Sequence, residues 1–213
     1  MDARTLQLAA GIPPALASMW APHVTAAMAR FGIDTPQRQA AFIPQISHES
    51  AGFTQLRESL NYSVQGLRTT FRDRVSADDA ARLGRKDGEA PLSAARQMAI
   101  ANLVYGGRYG NNSANDGWTY RGGGLKQITF LANYAACRDA IGFDLVTHPE
   151  LITTPEVAAL SAGWFWKANN CNHYADTDDF VGLTRKINGG VNGLDERRAL
   201  WRVARPALGL VAL

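Results

Sequence analysis

The sequence predicts a mainly α-helical fold, on three observations. Apolar residues recur at three- and four-residue spacings along most of the chain. Thr-Pro pairs, a capping hydroxyl followed by proline at the first helical position, stand ahead of two apolar runs. No strand-rich alternating repeat is visible. In order, Leu6 to Ala10 and Ala15 to Phe31 read as a helix pair interrupted by Gly11-Ile12-Pro13-Pro14. Thr35-Pro36 opens a helix that turns Ala40, Phe42, Ile43 and Ile46 towards a core and runs to near Gly52. Pro44 inside it removes a backbone donor and is expected to bend it. From Tyr62 to about Val104 the chain is polar, with short helical patterns at 64–71, 77–83 and 90–104. Residues 64–108 therefore read as a smaller helical lobe within one catalytic domain, 1–213. Tyr105 to Gly124 is glycine-rich and carries four Asn or Asp residues, a surface loop of the kind that binds ligands, with room for a short hairpin. Thr154-Pro155 starts a helix with Val157, Leu160, Trp164 and Ala168 on one face. Asp178 and Asp195 read as caps of helices through Ile187 and Val203.

Composition narrows the function classes. The chain has 213 residues, 46% hydrophobic and 19% charged, enough for one domain with a real core. A net charge of +3 suits an anionic polymer such as a bacterial wall. Nucleic acid is not expected, because the arginines are scattered and no basic stripe is interleaved with aromatics. No stretch approaches the ~20 apolar residues of a membrane helix. The amino terminus lacks the basic start and apolar block of a secretory signal, so the chain is expected in the cytosol where it is made. Cys137 and Cys171 are too few and too far apart for a disulfide framework or a zinc pattern, and read as buried thiols.

The segment ISHESAGFTQLRES, Ile46 to Ser59, holds Glu49 and Glu58 nine positions apart. A zinc-protease reading of His48-Glu49 needs a second histidine four residues after the first, where Gly52 stands. His23, His148 and His173 make no ligand spacing, so neither metal nor cofactor is expected. A catalytic pair needs one carboxyl kept protonated by apolar surroundings and one kept ionised to activate water. Glu49, near Ile46 and Phe53, suits the acid; Glu58, near Arg57, Ser59 and Asn61, suits the base. Alone, two glutamates in a helical protein are more often solvated charges.

Five blocks in order resemble glycoside hydrolase family 19, the chitinase and lysozyme-like group, and within it the phage endolysin branch. They are FIPQISHESAGF (42–53), RESLNYS (57–63), GWTYRGGGLKQITFLANY (117–134), LSAGWFW (160–166) and LTRKINGG (183–190). The resemblance implies a lysozyme-like α+β fold of the family 19 chitinase type. It implies Glu49 as general acid, Glu58 as the base that polarises water, and Thr129 as the hydroxyl that holds that water. Gln127, Asn133 and Asn188 would bind the sugar's N-acetyl and hydroxyl groups, Trp118 and Tyr134 would line the cleft, and Arg197 would orient Glu58 or the water. Each has a plainer reading: Trp164 and Trp166 as core, Asn188-Gly189-Gly190 as a helix C-cap, Arg197 as a surface ion pair, His48 as structural. The glycine loop departs from the family's Arg-Gly-Arg-Gly at Gly123, where an arginine is usual; Lys126 is a candidate to replace its charge. Pro44 also stands where a small residue is common.

The family inverts, which calls for carboxyls ~6.5–9.5 Å apart or somewhat more in an open cleft. The expected activity is hydrolysis of peptidoglycan glycan strands by a monomeric endolysin, released to the periplasm through a holin for host lysis. Three alternatives stay open: a chitinase of the same family, a lytic transglycosylase, and a secreted wall-degrading effector.

Overall fold

The computed structural model describes residues 1–212. The chain opens with α1 (Ala3–Ala10), α2 (Pro14–Arg30) and α3 (Pro36–Glu49). It crosses to α4 (Val64–Thr70), α5 (Ala77–Leu83), α6 (Ala94–Tyr105) and the short α7 (Asp116–Thr119). It then returns through α8 (Leu131–Ile141), a 3-10 turn at Pro149–Thr153, α9 (Pro155–Ala168), α10 (Cys171–Asp176), α11 (Phe180–Asn188) and α12 (Leu194–Ala207). Among the described residues no helix is long and apolar enough to cross a membrane.

Two apolar clusters organise these helices. In the larger, α3 packs on α12, α2 on α9, and α1 against both α2 and α12, around Trp20, Met28, Phe42, Ile43 and Trp166. In the smaller, α4, α5 and α6 enclose Leu60, Leu67, Leu83, Leu92, Ile100 and Val104. Cys137 and Cys171 are buried and unpaired, and burial pushes both thiols up to about 12.

Local chemistry sets the boundaries that position the site. The Thr35 hydroxyl accepts from the Arg38 amide at 3.3 Å, the side-chain cap that the sequence announces. Pro44 is buried inside α3 without ending it. The helix stops at Glu49, before Gly52, because Ala51, Gly52 and Phe53 all have positive φ (47°, 68° and 66°) and reverse the chain. That reversal returns Phe53 to Trp20, 5.4 Å between ring centroids.

Three boundaries differ from the sequence reading. The helix expected from Ala90 starts at Ala94, where Ser93 caps it. The residue capping α11 is Asp179, which accepts from Gly182 at 2.8 Å; Asp178 instead pairs with Arg205. Asp195 lies inside the first turn of α12, whose cap is Gly193. In place of a hairpin, the glycine loop makes isolated antiparallel bridges, Arg57 to Gly123 and Gly123 to Ile128.

Candidate active site

Glu49, the last residue of α3, is held by charge. Its side chain is 11% exposed. Oε1 accepts from Arg197 Nη2, and Oε2 faces Lys126 Nζ at 3.3 Å. Arg197, on the first turn of α12, is 2% exposed and also donates through Nη1 to Gln45 Oε1 at 2.5 Å. Gln45 lies one turn before Glu49 on α3, so α12 delivers one guanidinium to two successive turns of α3.

Glu58 is held by neutral donors. It stands in an extended segment whose backbone pairs with the glycine loop: Glu58 N–H donates to Gly122 O at 2.9 Å, and Gly124 N–H to Leu56 O at 3.0 Å. Its Oε1 accepts from the Tyr105 hydroxyl at 2.6 Å and its Oε2 from the Gly122 amide at 3.1 Å. Burial pushes the Glu58 carboxyl above the ordinary glutamate range, although these two hydrogen bonds and the Arg121 charge pull the other way. Burial, with the Glu58 charge and this hydrogen bond, drives the Tyr105 hydroxyl far up, so it stays a donor.

The environments are thus the reverse of the sequence expectation. Glu49 sits between cations, not in an apolar pocket, and Glu58 is the desolvated one. In an extended segment successive side chains alternate sides. Arg57, adjacent to Glu58, therefore points away, to the Tyr134 hydroxyl (2.9 Å) and Pro149 O (3.1 Å).

The glycine loop fits between these groups. A Cβ on Gly122 would lie 3.0 Å from Glu58 Cβ and 2.9 Å from Gln127 Oε1. A Cβ on Gly123 would meet Ile152 Cγ2 at 2.5 Å and the Tyr134 hydroxyl at 2.7 Å. An arginine at 123 has no room here, and the Arg57 guanidinium lies 3.2 Å from that point. Lys126 is the cation that reaches the site, its ammonium also 4.6 Å from the Phe165 ring centroid.

Beyond the loop lies a cleft of about 410 Å³ lined by Lys126, Gln127, Thr129, Asn133, Trp164 and Phe165 among others. Gln127 has φ 57°, and its amide nitrogen donates to Gln55 O (2.9 Å) and Gly124 O (3.1 Å), which leaves Oε1 beside Gly122. The Thr129 hydroxyl donates to Gln127 O at 3.1 Å, and the exposed Asn133 donates to Thr129 O at 2.8 Å.

Four sequence assignments change. Tyr134 does not line the cleft: its ring is fully buried, because its hydroxyl is satisfied inside by Arg57 and by Arg121 O at 2.9 Å. Arg197 is neither a surface ion pair nor a partner of Glu58 or of the sugar; it is buried against Glu49. Trp166 is core, its indole donating to Asn172 at 2.7 Å, but Trp164 is half-buried at the cleft, with Phe165. Trp118 packs on the smaller apolar cluster, with the Arg121 guanidinium 3.4 Å from its ring centroid, and is not among the residues that line this cleft. Asn188 ends α11 before the left-handed Gly189 (φ 74°) and spans the turn to Asn192 O at 3.4 Å. His48 packs beneath Gly193, its Nδ1 buried without a partner, and burial with the nearby Arg197 charge pushes it below the usual histidine range. Sequence reasoning missed Tyr105 altogether.

Comparison with known proteins places this geometry. Residues 95–186 match the glycoside hydrolase family 19 description "Chitinase class I". A Haemophilus influenzae protein described as a glycosyl hydrolase family 19 domain-containing protein is 38% identical over 186 residues, 84% of either chain. An Arabidopsis thaliana endochitinase is 42% identical over 76 residues, 35% of this chain and 26% of the plant protein. The fold is that of Streptomyces griseus chitinase C, with a TM-score of 0.61 at 19% identity over 100% of this chain and 77% of that one. A second bacterial family 19 chitinase gives 0.61 at 18% identity, covering 100% and 96%. With so long a match to the Haemophilus protein, and the same mainly helical, lysozyme-like fold, the chain belongs to glycoside hydrolase family 19 and is a glycoside hydrolase.

Proposed function

We propose that the chain cuts the β-1,4 bond between N-acetylmuramic acid and N-acetylglucosamine in peptidoglycan, in one inverting step with Glu49 as acid and Glu58 as base. The observation that carries this reading is that one loop touches both carboxylates: Gly122 donates to Glu58 and Lys126 meets Glu49. A glycosidic bond laid across residues 122–127 is flanked by an acid and a base. Water attacks the anomeric carbon as Glu58 takes its proton. The bond to the leaving oxygen breaks as that oxygen receives the proton of Glu49. Arg197 and Lys126 stabilise the carboxylate that Glu49 becomes, and desolvation makes the Glu58 carboxylate a stronger base. Thr129 holds the water, while Gln127 Oε1, Asn133 and Asn188 offer hydrogen bonds to the sugar.

Peptidoglycan is favoured by the long match to a bacterial relative, by the excess of positive charge and by two buried, unpaired cysteines in place of a disulfide frame. Chitin is the second reading, favoured by the relatives and structural neighbours described as chitinases. In the first reading the protein is a monomeric endolysin, made in a host cytoplasm and released by a holin to the periplasmic wall. Mass spectrometry of fragments from purified Gram-negative peptidoglycan tests it. Reducing-end N-acetylmuramic acid supports the reading; anhydro-muramic acid, or cleavage of chitin alone, overturns it.

A further inference from the structure

We propose that Tyr109 and Phe130 form an additional sugar-binding ledge beyond the two carboxylates, which takes the ring face of an N-acetylhexosamine in a long glycan; this rests on the cleft being a glycan site. Tyr109 is 64% exposed, the one aromatic among the strongly exposed large apolar residues described. Its ring lies 4.8 Å from Phe130, and the Arg108 guanidinium sits over both, 5.5 and 5.2 Å from their centroids. Phe130 in turn lines the cleft with Gln127, Thr129 and Asn133. Its ring also packs edge-on at 5.4 Å against Tyr105, the donor to Glu58. An aromatic path therefore runs from the base out to solvent.

The backbone holds this path in conformations that side chains rarely adopt. Tyr109 has φ 42°, and Phe130 has φ 78° with ψ 142°, a region otherwise left to glycine. Loop floppiness does not explain them. Asn111 is fully buried, accepts from Leu131 N–H at 2.9 Å and donates to Tyr105 O at 3.1 Å, while Ala132 N–H donates to Tyr109 O at 3.0 Å. A strained and rigid frame that presents an exposed aromatic suits a sugar face, since a ring offers large apolar area with few rotamers to freeze.

The test compares wild type, Tyr109→Ala and Tyr109→Phe on chitin oligosaccharides of increasing length and on peptidoglycan strands. The ledge predicts that Tyr109→Ala raises KM about tenfold on long chains. It predicts unchanged KM on the shortest, unchanged kcat and unchanged melting temperature, with Tyr109→Phe close to wild type. An equal effect at every length, or none at any, overturns it. Which polymer the wild type cuts scores the substrate reading separately; the length dependence is scored on whichever polymer is cut.

Discussion

Glu49 ends a helix of the larger core and faces two cations, one of them buried on α12 and the other just past the glycines of the loop. Glu58 lies on an extended segment between the two apolar clusters and faces a phenol from the smaller lobe and a loop amide. Both carboxylates are anchored at both oxygens, yet the anchors differ in charge. Two cations balance the charge of the Glu49 carboxylate. Neutral donors in a desolvated site satisfy the oxygens while leaving the carboxylate eager for a proton. The contrast teaches that the surroundings of each carboxylate are set by what the larger and the smaller apolar cluster bring to one loop, and the proposed roles follow from those surroundings.

Five substitutions sharpen or break that contrast. Glu49→Gln and Glu58→Gln should each cut hydrolysis of natural glycan about 10²- to 10⁴-fold, read as kcat/KM; near wild-type activity in either removes that residue from its role. Arg197→Met strips the buried cation from Glu49 and Gln45 and should cost about 3–5 kcal/mol in chemical denaturation. Lys126→Met removes the less buried cation and leaves Arg197, so kcat should fall about tenfold with stability nearly unchanged. Tyr105→Phe has the smallest effect, about 1 kcal/mol of stability, but an informative sign. The lost hydrogen bond had lowered the Glu58 carboxyl, so burial acts with less opposition and the group titrates higher. A base must be ionised, so the acidic limb of the kcat/KM profile should move to higher pH. A limb that stays or moves down breaks the account of Glu58.

Much of the fold was legible because it rests on local rules. The Thr35 cap and the apolar spacing of α3 identify a core helix, and that helix carries Glu49. The glycine loop was legible as a loop for the same reason. Side-chain surroundings were not. The Lys126–Glu49 and Tyr105–Glu58 contacts join residues 77 and 47 positions apart, and no spacing in the sequence encodes them. Reading the polarity around Glu58 from Arg57 failed because extended backbone sends neighbours to opposite sides. Tyr134 looked like a cleft residue until Arg57 and Arg121 supplied partners that let its hydroxyl be buried. Trp164 and Trp166 are two positions apart on α9, about 200° around a helix, so one faces the core and the other the cleft.

The division of labour between the carboxylates is tested most directly by changing the leaving group. Glycosides carrying a good aryl leaving group need little help from an acid but still need a base to activate water. Glu49→Gln should regain most of its activity on such a substrate relative to natural glycan, while Glu58→Gln stays inactive on both. Recovery of Glu58→Gln with no recovery of Glu49→Gln would contradict the account and exchange the two roles.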